Sequence, residues 1–280
     1  SVNLVLPTFQ GSVERIYPFV KRSGQKKGIL KNINMQYNFR GENRITTTDS
    51  LFLKKEMFDD AKYGMRHSIP ISTNFKVLKH LSVSMNGNFE EVWTGSTIKR
   101  NDYDSETGNS ENKVEIKGFD RFSQYNFGMG VGTTIYGLFN FKKESKIEAL
   151  RHVIRPSINY SIRPSFDEYY DTYIIDANGN TAEYTRFEDN FFGLPSRTYS
   201  SSIGLQVSNN LEAKVRSKDS LAQESKKIII LNNLNFSTSY NLASDSLKLS
   251  PVRMTGGTNL FNNKLNTVSY THLTLPTSND

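Results

Sequence analysis

Arg151, Arg155 and Arg163 stand four and eight residues apart. Even spacing places all three on one face of an extended strand. A guanidinium presents a fork of donors that matches phosphate and carboxylate oxygens, so such a row suits anions. These three are candidate lumen-facing anion contacts, with cross-strand pairing to acids as the alternative. Elsewhere the chemistry is thin. His67, His80, His152 and His272 are dispersed, and none has a second histidine or a carboxylate at metal-ligand spacing. His67 and His152 fall in strand-like runs, where a hydrogen-bonded structural role is expected. The acids Asp59 with Asp60, Glu90 with Glu91, and Glu188 with Asp189 are sequence neighbours. On a strand such neighbours point to opposite faces and cooperate poorly in acid–base work. The glycines 128, 130 and 132 lack the following helix and the Lys-Ser/Thr of a phosphate loop. They fit relief of crowding or sharp curvature on an inner face. The expectation is a non-enzyme without catalytic residues, cofactor or metal.

The elements that must carry these residues are strands. Residues 124–139, QYNFGMGVGTTIYGLF, place Tyr125, Phe127, Met129, Val131, Thr133, Ile135 and Phe139 on one face. Gln124, Asn126, Gly128, Gly130, Gly132 and Thr134 fall on the other. Alternation with a period of two marks a strand between an apolar and a polar environment. The pattern repeats at 29–40, 67–77, 81–92, 150–163, 198–216, 227–242 and 251–260. Its polar face is Asn, Ser, Gln and Gly more than charge. The links alternate in length: long at 41–66, 94–118 and 164–197, with a turn at 176–180, and short at 78–80. Outer-membrane barrels show that asymmetry. Phe89, Trp93, Phe119, Phe122 and Tyr125 are expected at one rim, and Tyr136, Phe139 and Phe141 at the other, where amphipathic rings meet head groups.

A mean hydropathy of −0.54 and a hydrophobic content of 36% exclude a bundle of membrane helices. No run reaches the ~18 apolar residues that such a helix needs, whereas a barrel strand needs apolar residues only at alternate positions. With no cysteine there is no disulfide or thiolate site. The net charge of +7 suggests an anionic neighbour. The basic pairs at 21–22, 26–27, 142–143 and 226–227 sit between strands as solvated turns, so nucleic acid is not expected. The first ten residues, SVNLVLPTFQ, lack a signal-peptide pattern and read as the start of an internal fragment.

RHVIRPSINYSIRPSF at 151–166, preceded by YGLFNFKK, resembles the lipopolysaccharide-assembly outer-membrane protein family LptD (OstA) in its Bacteroidetes form. LPTFQGSVERIYPFVKR at 6–22, MRHSIPISTNFKVLK at 65–79, NNLEAKVRSKDS at 209–220 and LNNLNFSTSYNLASDSLKLSP at 231–251 extend the resemblance. It implies part of a large barrel that passes lipopolysaccharide from a periplasmic bridge into the outer leaflet of the cell outer membrane of a Gram-negative bacterium. It also implies an LptE-like plug lipoprotein, bridge components reached through an amino-terminal periplasmic domain, and contact with outer-membrane lipid. No family residue maps onto a named position, and the family's disulfide control has no cysteine here to use. The expected fold is therefore all-β, an incomplete antiparallel transmembrane β-barrel of about nine strands. Residues 1–267 are expected to form the partial barrel, and 268–280 a non-native tail resembling adapter read-through. A porin or nutrient-transporter barrel and a soluble glycan-binding β protein are the alternatives.

Overall fold

The computed structural model describes residues 2–20, 28–106, 108, 113–142, 144–216, 225–260 and 265–273. The basic pairs at 21–22 and 26–27, Lys143 and the tail beyond 273 lie outside the described residues. The strands are β1 (Val2–Ile16), β2 (Asn34–Thr47), β3 (Lys62–Val77), β4 (Leu81–Arg100), β5 (Lys113–Gly132), β6 (Ile135–Asn140) and β7 (Ile147–Arg163). They continue as β8 (Tyr170–Ile174), β9 (Thr181–Thr185), β10 (Ser200–Val215), β11 (Lys226–Asn241), β12 (Val252–Leu260) and β13 (Leu265–Leu273). One short helix, α1 (Lys55–Asp59), lies in the link from β2 to β3.

Eleven strands form one sheet in the order β1-β2-β3-β4-β5-β7-β10-β11-β12-β13, with β6 beside β7. The order follows the chain, as hairpin-connected strands require, and it is an open path from β1 to β13. The all-β, antiparallel expectation holds. β8 and β9 form a separate hairpin. Its turn is the one expected at 176–180: Asp176 Oδ1 accepts from the Asn178 and Asn180 amides at 2.9 and 3.0 Å. Gly179 there takes φ +79°, a left-handed conformation that glycine reaches without strain.

Three features differ from the alternation alone. β1 lies outside the alternating runs, the first of which begins at residue 29; its ladder to β2 shifts register between Val5 and Thr8, and Pro7 sits in that irregularity. The run at 124–139 is two strands rather than one. The break falls opposite Pro156, whose carbonyl accepts from the Thr133 amide at 3.1 Å but whose nitrogen has no hydrogen to return. Finally, β4 and β5 are each 20 residues long and take in much of the link expected at 94–118. At ~3.3 Å per residue such a strand spans roughly 66 Å, more than twice the ~25 Å apolar band of an outer-membrane barrel.

Contacts divide the chain into two compact units. The first comprises Ser1–Thr73, Asn86–Phe127 and Arg163–Tyr199. On its apolar face an aromatic row crosses four neighbouring strands. Tyr37 to His67, His67 to Trp93 and Trp93 to Phe119 have ring centroids 5.9, 4.2 and 5.7 Å apart. The ring of Tyr63 covers Gly95 and that of Phe39 covers Gly11, where any side chain would collide with the ring. On the polar face lies the unit's small core. Phe122, Val92 and Phe187 are almost fully buried, flanked by Tyr169 and Phe192. Phe122 therefore corrects the rim expectation: it shares parity with Gln124, points to the polar face and meets Phe187 at 4.9 Å.

The second unit comprises Asn74–Met85, Gly128–Ile162 and Ser200–Asp280. There the glycines of β5 meet polar neighbours. A Cβ on Gly130 would come within 2.7 Å of Asn159 Oδ1 and 2.8 Å of Ser84 Oγ, so a side chain there would make those two polar groups shift. Among the described residues ten hydrophobic side chains are buried while forty large ones are exposed. A soluble sandwich hides its apolar faces against each other, so that distribution counts against the soluble alternative and suits a lipid-facing sheet.

Replacing Phe122 with Ala should loosen the 164–199 segment that its ring anchors, at about 3–5 kcal/mol for a buried Phe→Ala change. Limited proteolysis of the folded protein should then cut within 164–199 while the strands stay protected.

Candidate functional site

The polar face is built by even-numbered residues of β2 to β5. On β2, Asn34 to Arg44 present amides and three charges; Glu42 is almost fully buried, and its carboxylate takes Arg40 at 2.5 Å and Arg44 at 2.9 Å. Arg40 stands opposite Arg66 of β3 in the ladder. Two facing cations repel, and each is offset by its own buried acid. Arg66 pairs with Glu90 of β4 at 2.5 Å. The other Glu90 oxygen accepts from Gln124 of β5 at 3.1 Å, and the Gln124 carbonyl oxygen accepts from the Ser196 amide at 3.1 Å. Between these charges the face is neutral: Ser68 donates to Asn88 at 2.9 Å, and Asn34 with Ser72 exchange bonds at 2.9 and 3.0 Å. Buried carboxylates persist only when paired and hydrogen-bonded, and both are.

Segment 164–199 packs on this face within the first unit. The Arg186 carbonyl accepts from the Ile98 amide at 2.9 Å, and the Ile174 carbonyl accepts from Tyr103 at 2.8 Å. Arg186 Nε reaches Asp120 at 2.7 Å, and its guanidinium stands 4.6 Å from the Phe187 ring centre. Arg100 grips Glu188 with two bonds of 3.0 and 2.6 Å, while Asp189 bridges Lys113 at 2.5 Å and Lys62 at 3.2 Å. The Arg100 hydrogen bonds hold the Glu188 carboxyl below the usual range, against the opposing effect of burial. For Asp189 burial pushes upward, yet hydrogen bonds and charge from Lys113 and Lys62 outweigh it and leave the group lowered.

The arginines named from sequence all lie on β7. Arg151 meets an acid, with Nη1 3.7 Å from Glu212 Oε2, and stacks 5.5 Å from the Tyr136 ring centre. Arg155 and Arg163 are exposed and have no ion pair among the described residues. Arg155 lines an open cavity of about 490 Å³ in the second unit. Arg163 belongs to the first unit. The histidines in strands are structural: His67 Nδ1 lies 2.7 Å from the Tyr37 hydroxyl, and His152 Nε2 lies 3.1 Å from Asn209 Oδ1. Among the described residues no three His, Asp or Glu side chains gather as a metal site.

Sequence reasoning missed Glu42, Glu90 and the docked segment. Glu90 was set aside because its neighbour Glu91 points to the other face. That is correct geometry: Glu91 meets Trp93 Nε1 at 2.5 Å and Arg121 at 3.0 Å. The overlooked signal was the opposite-charge matching of Arg66 and Glu90 on strands of like parity. A family model described as LptD protein matches residues 1–274. No curated protein and no solved structure matches.

Glu188 and Asp189 have lowered carboxyl pKa values, so their ion pairs contribute stability above the unfolded value of about 4 and lose it as pH falls through the folded values. Protease resistance of the 164–199 segment should therefore stay flat from about pH 8 to about pH 5 and drop below about pH 4. The Glu188→Gln/Asp189→Asn variant should show weaker resistance at neutral pH and a flatter acid response.

Proposed function

Because the chain belongs to the LptD protein family, matched over residues 1–274, we propose that it is part of the outer-membrane translocon that inserts lipopolysaccharide into the outer leaflet. The family match is the observation that carries this reading. Physical support comes from the two faces of the sheet. Phe127, Met129, Val131 and Ile135 line the side assigned to lipid, and the charged and amide wall around Glu42 and Glu90 lines the side assigned to an aqueous lumen. A large amphiphile with an anionic, sugar-rich head needs such a division: its polar part crosses along a hydrated wall, and its acyl chains stay with the apolar side.

In this reading the Tyr37–His67–Trp93–Phe119 row is the head-group girdle, and strand beyond it stands in water. The protein works without catalysis, with an LptE-like lipoprotein plugging the lumen and with periplasmic bridge components delivering substrate through an amino-terminal domain. Its home is the outer membrane of a Gram-negative bacterium of Bacteroidetes type. Residues 268–280 are proposed to be non-native read-through, and uniform coverage of source reads across codon 268 into a continuing gene would reject that.

Depleting the full-length protein should strand lipopolysaccharide in the periplasm, measured by surface labelling; unchanged surface lipopolysaccharide would reject the transport reading. Trp93 is the sole tryptophan. In liposomes its fluorescence should be quenched most by quencher groups placed near the head groups, and least by those at the bilayer centre.

A further inference from the structure

The buried acids of the first unit are matched with arginines, whereas one place in the second unit gathers cations without acids. A cavity of about 490 Å³ is lined by Lys76 and Ser82 at the facing ends of β3 and β4, and by Lys79 and His80 of the turn between them. Arg155 and Ser157 of β7 with Gln206 and Ser208 of β10 also line it. No carboxylate lines it. Lys76, Lys79 and Arg155 are exposed, and none has an ion pair among the described residues. The contrast with Arg40 and Arg66, each tied to a buried glutamate, is direct.

The cations are held by backbone rather than by chance. Leu78 and Lys79 take φ of +50° and +65°, the left-handed pair of a tight hairpin turn that follows strand twist. Non-glycine residues rarely adopt this conformation. The turn is pinned by Thr133, whose hydroxyl donates to the His80 carbonyl at 2.9 Å. Arg155 precedes Pro156, whose carbonyl takes the Thr133 amide at 3.1 Å. One threonine thus ties the turn carrying Lys79 to the strand carrying Arg155. An adjoining cavity of about 440 Å³ shares Lys76, Ser82, Gly132 and Ser157, and adds only Asn, Ser, Phe, Val and Gly.

We infer that this cavity binds the phosphate groups of a phosphorylated lipid head group. Three cations with no acid among them set a positive potential. The Arg155 fork and the serine and glutamine donors supply directional bonds to phosphate oxygens. The volume lies in the range of small-ligand pockets, roughly 300–1,000 Å³. Short turns mark the periplasmic end of outer-membrane strands, so the site would meet a head group as it enters. The inference rests on the transport reading and assigns residues to its first contact.

The test uses the full-length protein folded in detergent, with wild type compared to Arg155→Gln, Lys76→Gln/Lys79→Gln, the triple variant and Arg155→Lys. Purified lipopolysaccharide and its dephosphorylated form are titrated by calorimetry, and gel mobility with and without heating confirms that each variant is folded. The triple variant should bind phosphorylated lipopolysaccharide at least ~10-fold more weakly, as expected for loss of charge-assisted bonds. Arg155→Lys keeps the charge but not the fork, so its affinity should fall between those of wild type and Arg155→Gln, and wild type should bind the dephosphorylated form as weakly as the triple variant binds the native one. Equal affinity of wild type and triple variant, or of native and dephosphorylated ligand, would overturn the inference. Displacement by inorganic phosphate at concentrations equal to the lipid would also overturn it, making this a free-phosphate site. Lost surface lipopolysaccharide on depletion, with binding indifferent to these variants, rejects this inference alone. Variant-sensitive binding with no depletion phenotype rejects the transport reading alone.

Discussion

A strand that meets hydrocarbon must satisfy each backbone amide and carbonyl laterally, because lipid offers no hydrogen bonds. The ladder from β1 to β13 follows from that constraint. Once the main chain is committed to its neighbours, side chains can only alternate between two environments. Every assignment of lipid-side and water-side residues descends from this parity. Proline shows how tight the constraint is: Pro7 sits at a register shift, and Pro156 faces the break between β5 and β6.

Parity also brings charge to the polar face, where it must be balanced. Glu42 and Glu90 are nearly buried and would be costly alone, yet Glu42 is held by two arginines and Glu90 by an arginine and an amide. These pairs neutralise Arg40 and Arg66, which oppose one another in the ladder. The cavity around Lys76, Lys79 and Arg155 has cations with no such partners. On the proposed transport reading, the wall has reason for both states. Internally paired charge stays put and keeps the face wet, whereas unpaired cations attract a passing anion.

The segment between β7 and β10 links these themes. Its Phe187, Tyr169 and Phe192 rings cover Phe122 and Val92, two apolar residues of the polar face. Without that cover they would stand exposed to water. Ion pairs at Asp120, Glu188 and Asp189 fasten the segment around the rings. An apolar anchor with a charged rim resembles a protein interface folded within one chain.

Period-two alternation by itself determined the all-β architecture and the polar and apolar faces of most strands, and the Asp-Ala-Asn-Gly-Asn run determined the turn at 176–180. These depend on local backbone geometry, which a residue's neighbours in sequence set. Composition excluded a bundle of membrane-spanning helices. Tertiary structure decided what depends on pairing between distant positions. It placed Phe122 inward against Phe187, 65 residues away in sequence. It matched Glu90 to Arg66, gave Arg151 an acidic neighbour in Glu212 and left Arg155 free beside Lys76 and Lys79. Alternation states which face a charge takes but not which strand stands next to it, and the neighbouring strand determines whether an arginine is spent on a glutamate or left open to a ligand.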